Sequence, residues 1–330
     1  MVSPAVFAEL KTHLQRVIVG QEALLDRMII ALLTGGHVLL EGPPGLAKTT
    51  AVKTLAESVK ASFQRIQFTP DLMPGDVMGS EMFDSKLGSL NFVKGPIFNE
   101  IVLADEINRA PPKVQSALLE AMAEKQVTAG GQTRALPELF IVMATQNPLE
   151  QSGTYPLPEA QLDRFMVQLN LSYPTPAEEL EILRRDRARH FGEDKATSQP
   201  LLTPEMVLQA RHAISEQYVS PAVEQYMVSL VSATRHLESL DDKMAGVLDM
   251  GASPRATLAL LHAASALAWL QGRAFVTPED VRQLLPDVLR HRIHVSFAGR
   301  AQQWTPDKVI QKILSQVEVP LASNFAQAAS

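Results

Sequence analysis

The stretch Gly42-Pro43-Pro44-Gly45-Leu46-Ala47-Lys48-Thr49-Thr50 carries the clearest chemistry in the chain. It lies between a short apolar run, His37 to Glu41, and a segment from about Thr49 to Val59 with Val52, Leu55, Ala56 and Val59 at helical spacing. Strand, glycine-bearing loop and helix form the setting in which backbone N–H groups wrap an anion, aided by the helix N-terminus. Lys48 is placed to reach β- and γ-phosphates, and the Thr49 hydroxyl to bind Mg²⁺. Ala47 stands where such loops usually carry a second glycine, and a methyl there is acceptable if φ is negative. A glycine turn with an incidental Lys-Thr pair is the plainer reading. A second constellation is Asp105-Glu106, ending the apolar run Ile101-Val102-Leu103-Ala104. Ligands of parallel sheets sit at the carboxyl ends of the strands. Asp105 therefore suits a Mg²⁺ role, directly or through water, and Glu106 suits polarising an attacking water. A solvated acidic turn is the competing reading of this pair alone.

Other elements must position these groups. Pro4 to Val17 and about Glu22 to Leu33 read as helices, with Val19-Gly20-Gln21 between them. That break leads into the strand before the loop, so Val19 and Gly20 are candidates to lie against a nucleotide base; a plain packing pair of helices fits the same residues. Phe63 to Phe68 alternates as a strand. Thr69 to Asn99 is rich in Pro, Gly and Asp and reads as an insert with a hairpin from Gly79 to Phe83 and Leu90 to Lys94. Pro111-Pro112 open a helix to about Lys125, and Gly130-Gly131 centre a second hairpin over Val127 to Leu136. Leu139 to Thr145 is a further apolar strand. It ends in Gln146-Asn147-Pro148, where Asn147 could orient the attacking water or simply form an Asn-Pro turn. A short helix, Glu159 to Leu162, precedes a strand over Phe165 to Leu171.

Pro174-Thr175-Pro176 is the best domain boundary, giving 1–173 as an α/β domain and 177–330 as an all-helical one, in which no strand is expected. Thr203-Pro204, Ser220-Pro221, Ser253-Pro254, Thr277-Pro278 and Thr305-Pro306 mark helix starts. Arg255 then falls in a first helical turn, where the macrodipole disfavours a cation by roughly 0.3–1 kcal/mol. An anion nearby would explain it; an Arg reaching to water would also do so.

Composition narrows the class. The 330 residues suffice for two domains, with 46% hydrophobic but only 5% aromatic residues, so the core is aliphatic. A net charge of −6 does not favour nucleic acid. Without cysteine there is no disulfide framework or thiolate metal site, and the eight histidines lack zinc-ligand spacing. No apolar run approaches the roughly 18 residues of a membrane span, and no signal region opens the chain, so a cytoplasmic protein is expected.

Taken in order, these motifs resemble the AAA+ ATPases, and in detail the MoxR family. The resemblance is carried by Gly45-Leu46-Ala47-Lys48-Thr49, Phe68-Thr69-Pro70-Asp71-Leu72, Asp105-Glu106-Ile107-Asn108-Arg109-Ala110, Ala144-Thr145-Gln146-Asn147-Pro148, Gly153 through Phe165 and Gly251-Ala252-Ser253-Pro254-Arg255. It implies a five-stranded parallel sheet of order 5-1-4-3-2 with a C-terminal helical lid. It implies ATP/ADP and Mg²⁺ as ligands, with Asn147 the first sensor, Arg255 the second and Arg164 a finger reaching a neighbouring subunit; Arg109 would face that neighbour too. It further implies a ring, usually a hexamer, with chaperone-like work on client protein complexes and a von Willebrand factor A domain partner. Two alternatives of the same clade are a metal-chelatase-like motor subunit and a nucleic-acid motor, the latter disfavoured by the acidic charge.

Overall fold

The computed structural model describes residues 2–84, 88–146, 153–190 and 200–321. It divides into two compact units, one of Ala5–Leu157 with Leu169–Leu208, the other of Met1–Pro4, Pro158–Gln168 and Gln209–Ser330.

The first unit opens with helices α1 (Pro4–Val17) and α2 (Glu22–Thr34), which bury Phe7, Leu10, Leu14 and most of α2. Strand β1 (Val38–Glu41), α3 (Lys48–Ser58) and β2 (Phe63–Gln67) follow. The insert then contributes α4 (Pro74–Met78) and the antiparallel hairpin β3 (Gly79–Asp84) with β4 (Ser89–Lys94). Gly79 has φ +94°, and a Cβ there would collide with the Val93 carbonyl, so only glycine lets the hairpin start against its own return strand. Next come β5 (Ile101–Asp105), α5 (Pro112–Glu124), the hairpin of β6 (Gln126–Ala129) and β7 (Gln132–Ala135), and β8 (Ile141–Gln146). Strand β9 (Val167–Asn170) and α7 (Pro176–His190) follow, whereas the short helix α6 (Glu159–Leu162) before β9 belongs to the second unit.

The main sheet has the order β2-β5-β8-β1-β9. Numbered within the sheet, this is the 5-1-4-3-2 arrangement expected above. The central strands are apolar on both faces because both are covered: Ile101–Ala104, Ile141–Ala144 and Val38–Leu40 are all buried. Each turns polar at its last residue, and those last residues share one edge. Glu41 pairs with Gln146, and Gln67 with Asp105.

The second unit holds α8 (Pro204–Ser215) from its middle, α9 (Pro221–Ala233), strand β10 (Leu248–Met250), α10 (Pro254–Leu270), α11 (Pro278–Leu289), strand β11 (His294–Val295), α12 (Phe297–Ala301) and α13 (Pro306–Gln316). The Ser/Thr-Pro punctuation works as expected. Ser220, Ser253 and Thr305 accept from backbone N–H groups of the first turns they cap, and Thr277 with Asp280 closes a full capping box. Helix α10 packs on α9 and α11 through a small-residue face, with Ala256, Ala263, Ala264 and Ala266 fully buried. The expectation of no strand in this half is corrected: β10 and β11 pair antiparallel. Segments of three and two residues are too short to show an alternation in sequence.

Candidate functional site

The phosphate-loop candidates are held between a strand end and a helix start. Gly42 leaves β1, and α3 begins at Lys48. Lys48 folds back so that Nζ donates to the Gly42 carbonyl at 2.7 Å. Burial lowers its pKa from the ordinary lysine value, with Asp105, Glu106 and Glu41 opposing that shift. The loop, Asp105, Glu106, Thr145, Gln146 and Arg65 together line a cleft of about 420 Å³. The Thr49 hydroxyl and the Asp105 carboxylate are hard oxygen donors that suit Mg²⁺. Among the described residues no group of three His, Cys, Asp or Glu could hold a metal, so such an ion would take its remaining ligands from phosphate and water.

Ala47 departs from expectation. Its φ is +54°, in the left-handed region, and not negative. The loop keeps the turn that a glycine would make there, and the alanine carries the steric cost of about 1–2 kcal/mol. Glu106 is a second non-glycine residue of the cleft in this region, with φ +58°. Strain of this kind concentrates at functional sites.

Thr145 is the hub of the acidic pair. Its hydroxyl donates to Asp105 Oδ1 at 2.6 Å and accepts from the Glu106 backbone N–H at 2.8 Å. Arg65 donates twice to the other oxygen of Asp105, and Arg109 Nε lies 3.1 Å from Glu106 Oε2. A second cavity of about 190 Å³ adjoins the loop, lined by Val17, Ile18, Val19, Gln21, Leu46 and Ile182 among others. Val19 lines this cavity, whereas Gly20, at φ +66°, sits beside the Glu178 carboxylate.

In the helical unit, Arg255 meets Asp163, the residue before Arg164. Ser253 Oγ donates to Asp163 Oδ2 at 2.8 Å, and Arg255 Nη1 lies 3.8 Å from the same oxygen. Arg292 donates to Asp163 Oδ1 and to the carbonyls of Asp163, Phe165, Met166 and Val288. Asn147 lies outside the described residues.

The chain is 45% identical over 316 residues to Chaperone MoxR1 of Mycobacterium tuberculosis, spanning 96% of this chain and 82% of that protein. It belongs to the MoxR family of AAA+ ATPases. Protein MoxR of Methylorubrum extorquens is 31% identical, with 95% of each chain covered. A crystal structure from Cytophaga hutchinsonii superposes with a TM-score of 0.90 at 42% identity, covering 96% of both chains. Within this MoxR-family chain, residues 37–167 match the ATPase family associated with various cellular activities, and residues 245–313 match the AAA lid domain.

Sequence reasoning missed Thr145 and Arg65 as members of the site. Thr145 closes the apolar run Leu139 to Thr145, and that place at the strand's carboxyl end is the one sequence signal that pointed to it. Arg65 looked like the solvent face of an alternating strand, and nothing local marked its partner.

Proposed function

We propose that this protein binds ATP with Mg²⁺ in the loop cleft, hydrolyses it as part of an oligomeric ring, and uses the cycle to remodel or mature partner proteins. The observation that supports it best is the joint placement of Lys48, Thr49, Asp105 and Glu106 on one cleft, with Thr145 fixing both acids. Lys48 would exchange its Gly42 carbonyl for phosphate oxygens, a charge-assisted contact. Thr49 and Asp105 would hold the metal, which neutralises charge building on the phosphates. The Glu106 carboxylate would polarise the attacking water, with Asn147 orienting it. Gly42, Pro43, Pro44, Gly45, Leu46, Ala47 and Thr50 would complete the anion cradle, and Val19 and Gly20 the base end. Arg164 would act on a neighbour's nucleotide, and Arg255 on the phosphate of its own chain. A hexamer, a cytoplasmic setting and a von Willebrand factor A domain partner belong to the same proposal.

No helix is long and apolar enough to cross a membrane among the described residues. Arg134, a cation of the second hairpin, stacks 3.9 Å over the Phe92 ring and bonds the Ala129 and Gln132 carbonyls, so it is engaged within the protein instead of being presented to nucleic acid.

The deciding experiment compares Lys48→Ala and Glu106→Gln by ATP binding and by phosphate release. Lys48→Ala should lose binding. Glu106→Gln should bind and turn over far more slowly; turnover at the parent rate would remove Glu106 from the mechanism. Mixing Arg164→Ala with Lys48→Ala subunits should restore part of the turnover if the finger acts between subunits.

A further inference from the structure

We propose that Arg65 is a resident counter-cation of Asp105, and that its competition for this carboxylate sets how much divalent cation the nucleotide site requires. The inference rests on the Mg²⁺–nucleotide reading above. Arg65 lies on β2, in register with Leu103 of the neighbouring strand β5, two positions before Asp105. From there its Nε and Nη2 both donate to Asp105 Oδ2, at 3.0 and 2.6 Å, and Nη2 also reaches Gln67 Oε1 at 2.7 Å. The other carboxylate oxygen is taken by Thr145 at 2.6 Å. Both oxygens of Asp105 are thus engaged, one by a buried hydroxyl and one by a guanidinium.

The two partners differ in how easily they yield. Thr145 is 2% exposed and also accepts from the Glu106 N–H, so it is fixed. The Arg65 side chain is 48% exposed against 16% for Asp105, and it lines the same cleft as Lys48 and Thr49. A divalent cation approaching Oδ2, directly or through water, meets a like charge already seated there. Arg65 must then turn outward, which its long, half-exposed side chain permits, and the pair is lost. Metal occupancy is therefore a competition and not a simple filling. The same pair adds to the compensation that the Lys48 ammonium, bonded to the Gly42 carbonyl, gives Asp105 across the cleft.

The test is isothermal titration of ATP at a series of free Mg²⁺ concentrations, for the parent and for Arg65→Met and Arg65→Gln. Both variants remove the charge from a partly exposed strand position and keep much of its bulk. The half-saturating Mg²⁺ should fall by about two- to fivefold, the range expected for losing one partly exposed ion pair. ATP affinity in EDTA should stay within a factor of two of the parent, in line with Arg65 acting on Asp105 and not on phosphate. Adding Asp105→Asn to Arg65→Met should abolish that fall in half-saturating Mg²⁺. An unchanged or raised Mg²⁺ requirement in the arginine variants overturns the proposal while leaving the nucleotide site standing. A tenfold or greater loss of EDTA-state affinity overturns it too, making Arg65 a phosphate ligand. A parent that binds no ATP at any Mg²⁺ concentration overturns both readings.

Discussion

Arg292 donates through Nε to Asp163 Oδ1 at 2.8 Å, across 129 residues of sequence. Its other nitrogens bind four backbone carbonyls, three of them in the segment around Arg164. The side chain of Arg292 is 3% exposed, and burial pushes its pKa down from the ordinary arginine value, with Asp163 opposing that shift. Asp163 also accepts from Ser253, two residues before Arg255. One carboxylate therefore fixes the bases of both candidate arginines, so Asp163 and Arg292 are positioning residues for them.

Asp163→Asn should destabilise the helical unit by about 2–4 kcal/mol, because it leaves a buried guanidinium without its counter-charge. Trp269 and Trp304 both lie in that unit, so urea unfolding followed by tryptophan fluorescence reads it directly. Ser253→Ala, which keeps the Arg292 pair, should cost only about 1 kcal/mol.

His291 should make the same unit acid-sensitive. The imidazole is buried, its Nε2–H donates to the Phe165 carbonyl at 2.9 Å, and burial, with Arg292 adding, holds its pKa well below the ordinary histidine value. The unfolded chain takes up a proton near pH 6.5 that the folded protein does not. Stability is therefore lost as the pH falls below about 6.5, at up to about 1.4 kcal/mol per pH unit. His291→Gln keeps a donor for Phe165 and should flatten the difference between unfolding curves at pH 7 and pH 5.

Ala47→Gly should stabilise the sheet unit by about 0.5–1 kcal/mol, since glycine adopts φ +54° without a Cβ penalty. Ala47→Val should cost more than about 1 kcal/mol. Urea unfolding followed by far-UV circular dichroism would measure both, and a neutral Ala47→Val would show that the loop does not hold the left-handed turn.

Thr145→Val should remove about 1–3 kcal/mol of stability and slow ATP turnover, because Asp105 loses a donor and the Glu106 N–H loses its acceptor. Thr145→Ser keeps the hydroxyl and should retain most of both. Equal turnover in the Val and Ser variants would remove the hydroxyl from the catalytic arrangement.

The insert hairpin exposes Met82, Phe83, Leu90 and Val93, while Phe92 at its base is covered by Arg134 and meets Phe98 edge-on. Exposed apolar residues beyond an anchored base fit a contact surface for a partner. Replacing residues 82–91 by a short Gly-Ser turn, which spares Phe92, should keep folding and ATP binding intact. Stimulation by a von Willebrand factor A domain partner should be abolished, as read by phosphate release with and without it.

What the sequence determined was local. The Gly-Lys-Thr loop, the apolar runs closing in acids, the two hairpin centres at Gly79–Lys94 and Gly130-Gly131, and the Ser/Thr-Pro helix starts are all set by neighbours a few residues apart. Period, caps and turn residues act over that range, so the helix spans were legible through them, and the strand order only through the family resemblance they carry. Only the tertiary structure decided which side chains meet. Arg65 and Thr145 each reach Asp105 from 40 residues away, because parallel strands are joined by long crossovers and their register is set by the whole sheet. Ala47 takes a left-handed turn because the strand before it and the helix after it fix both ends of the loop. Asp163 finds Arg292 because the helical unit packs its last third against the short α6 segment. Such pairings depend on distances that no local pattern encodes.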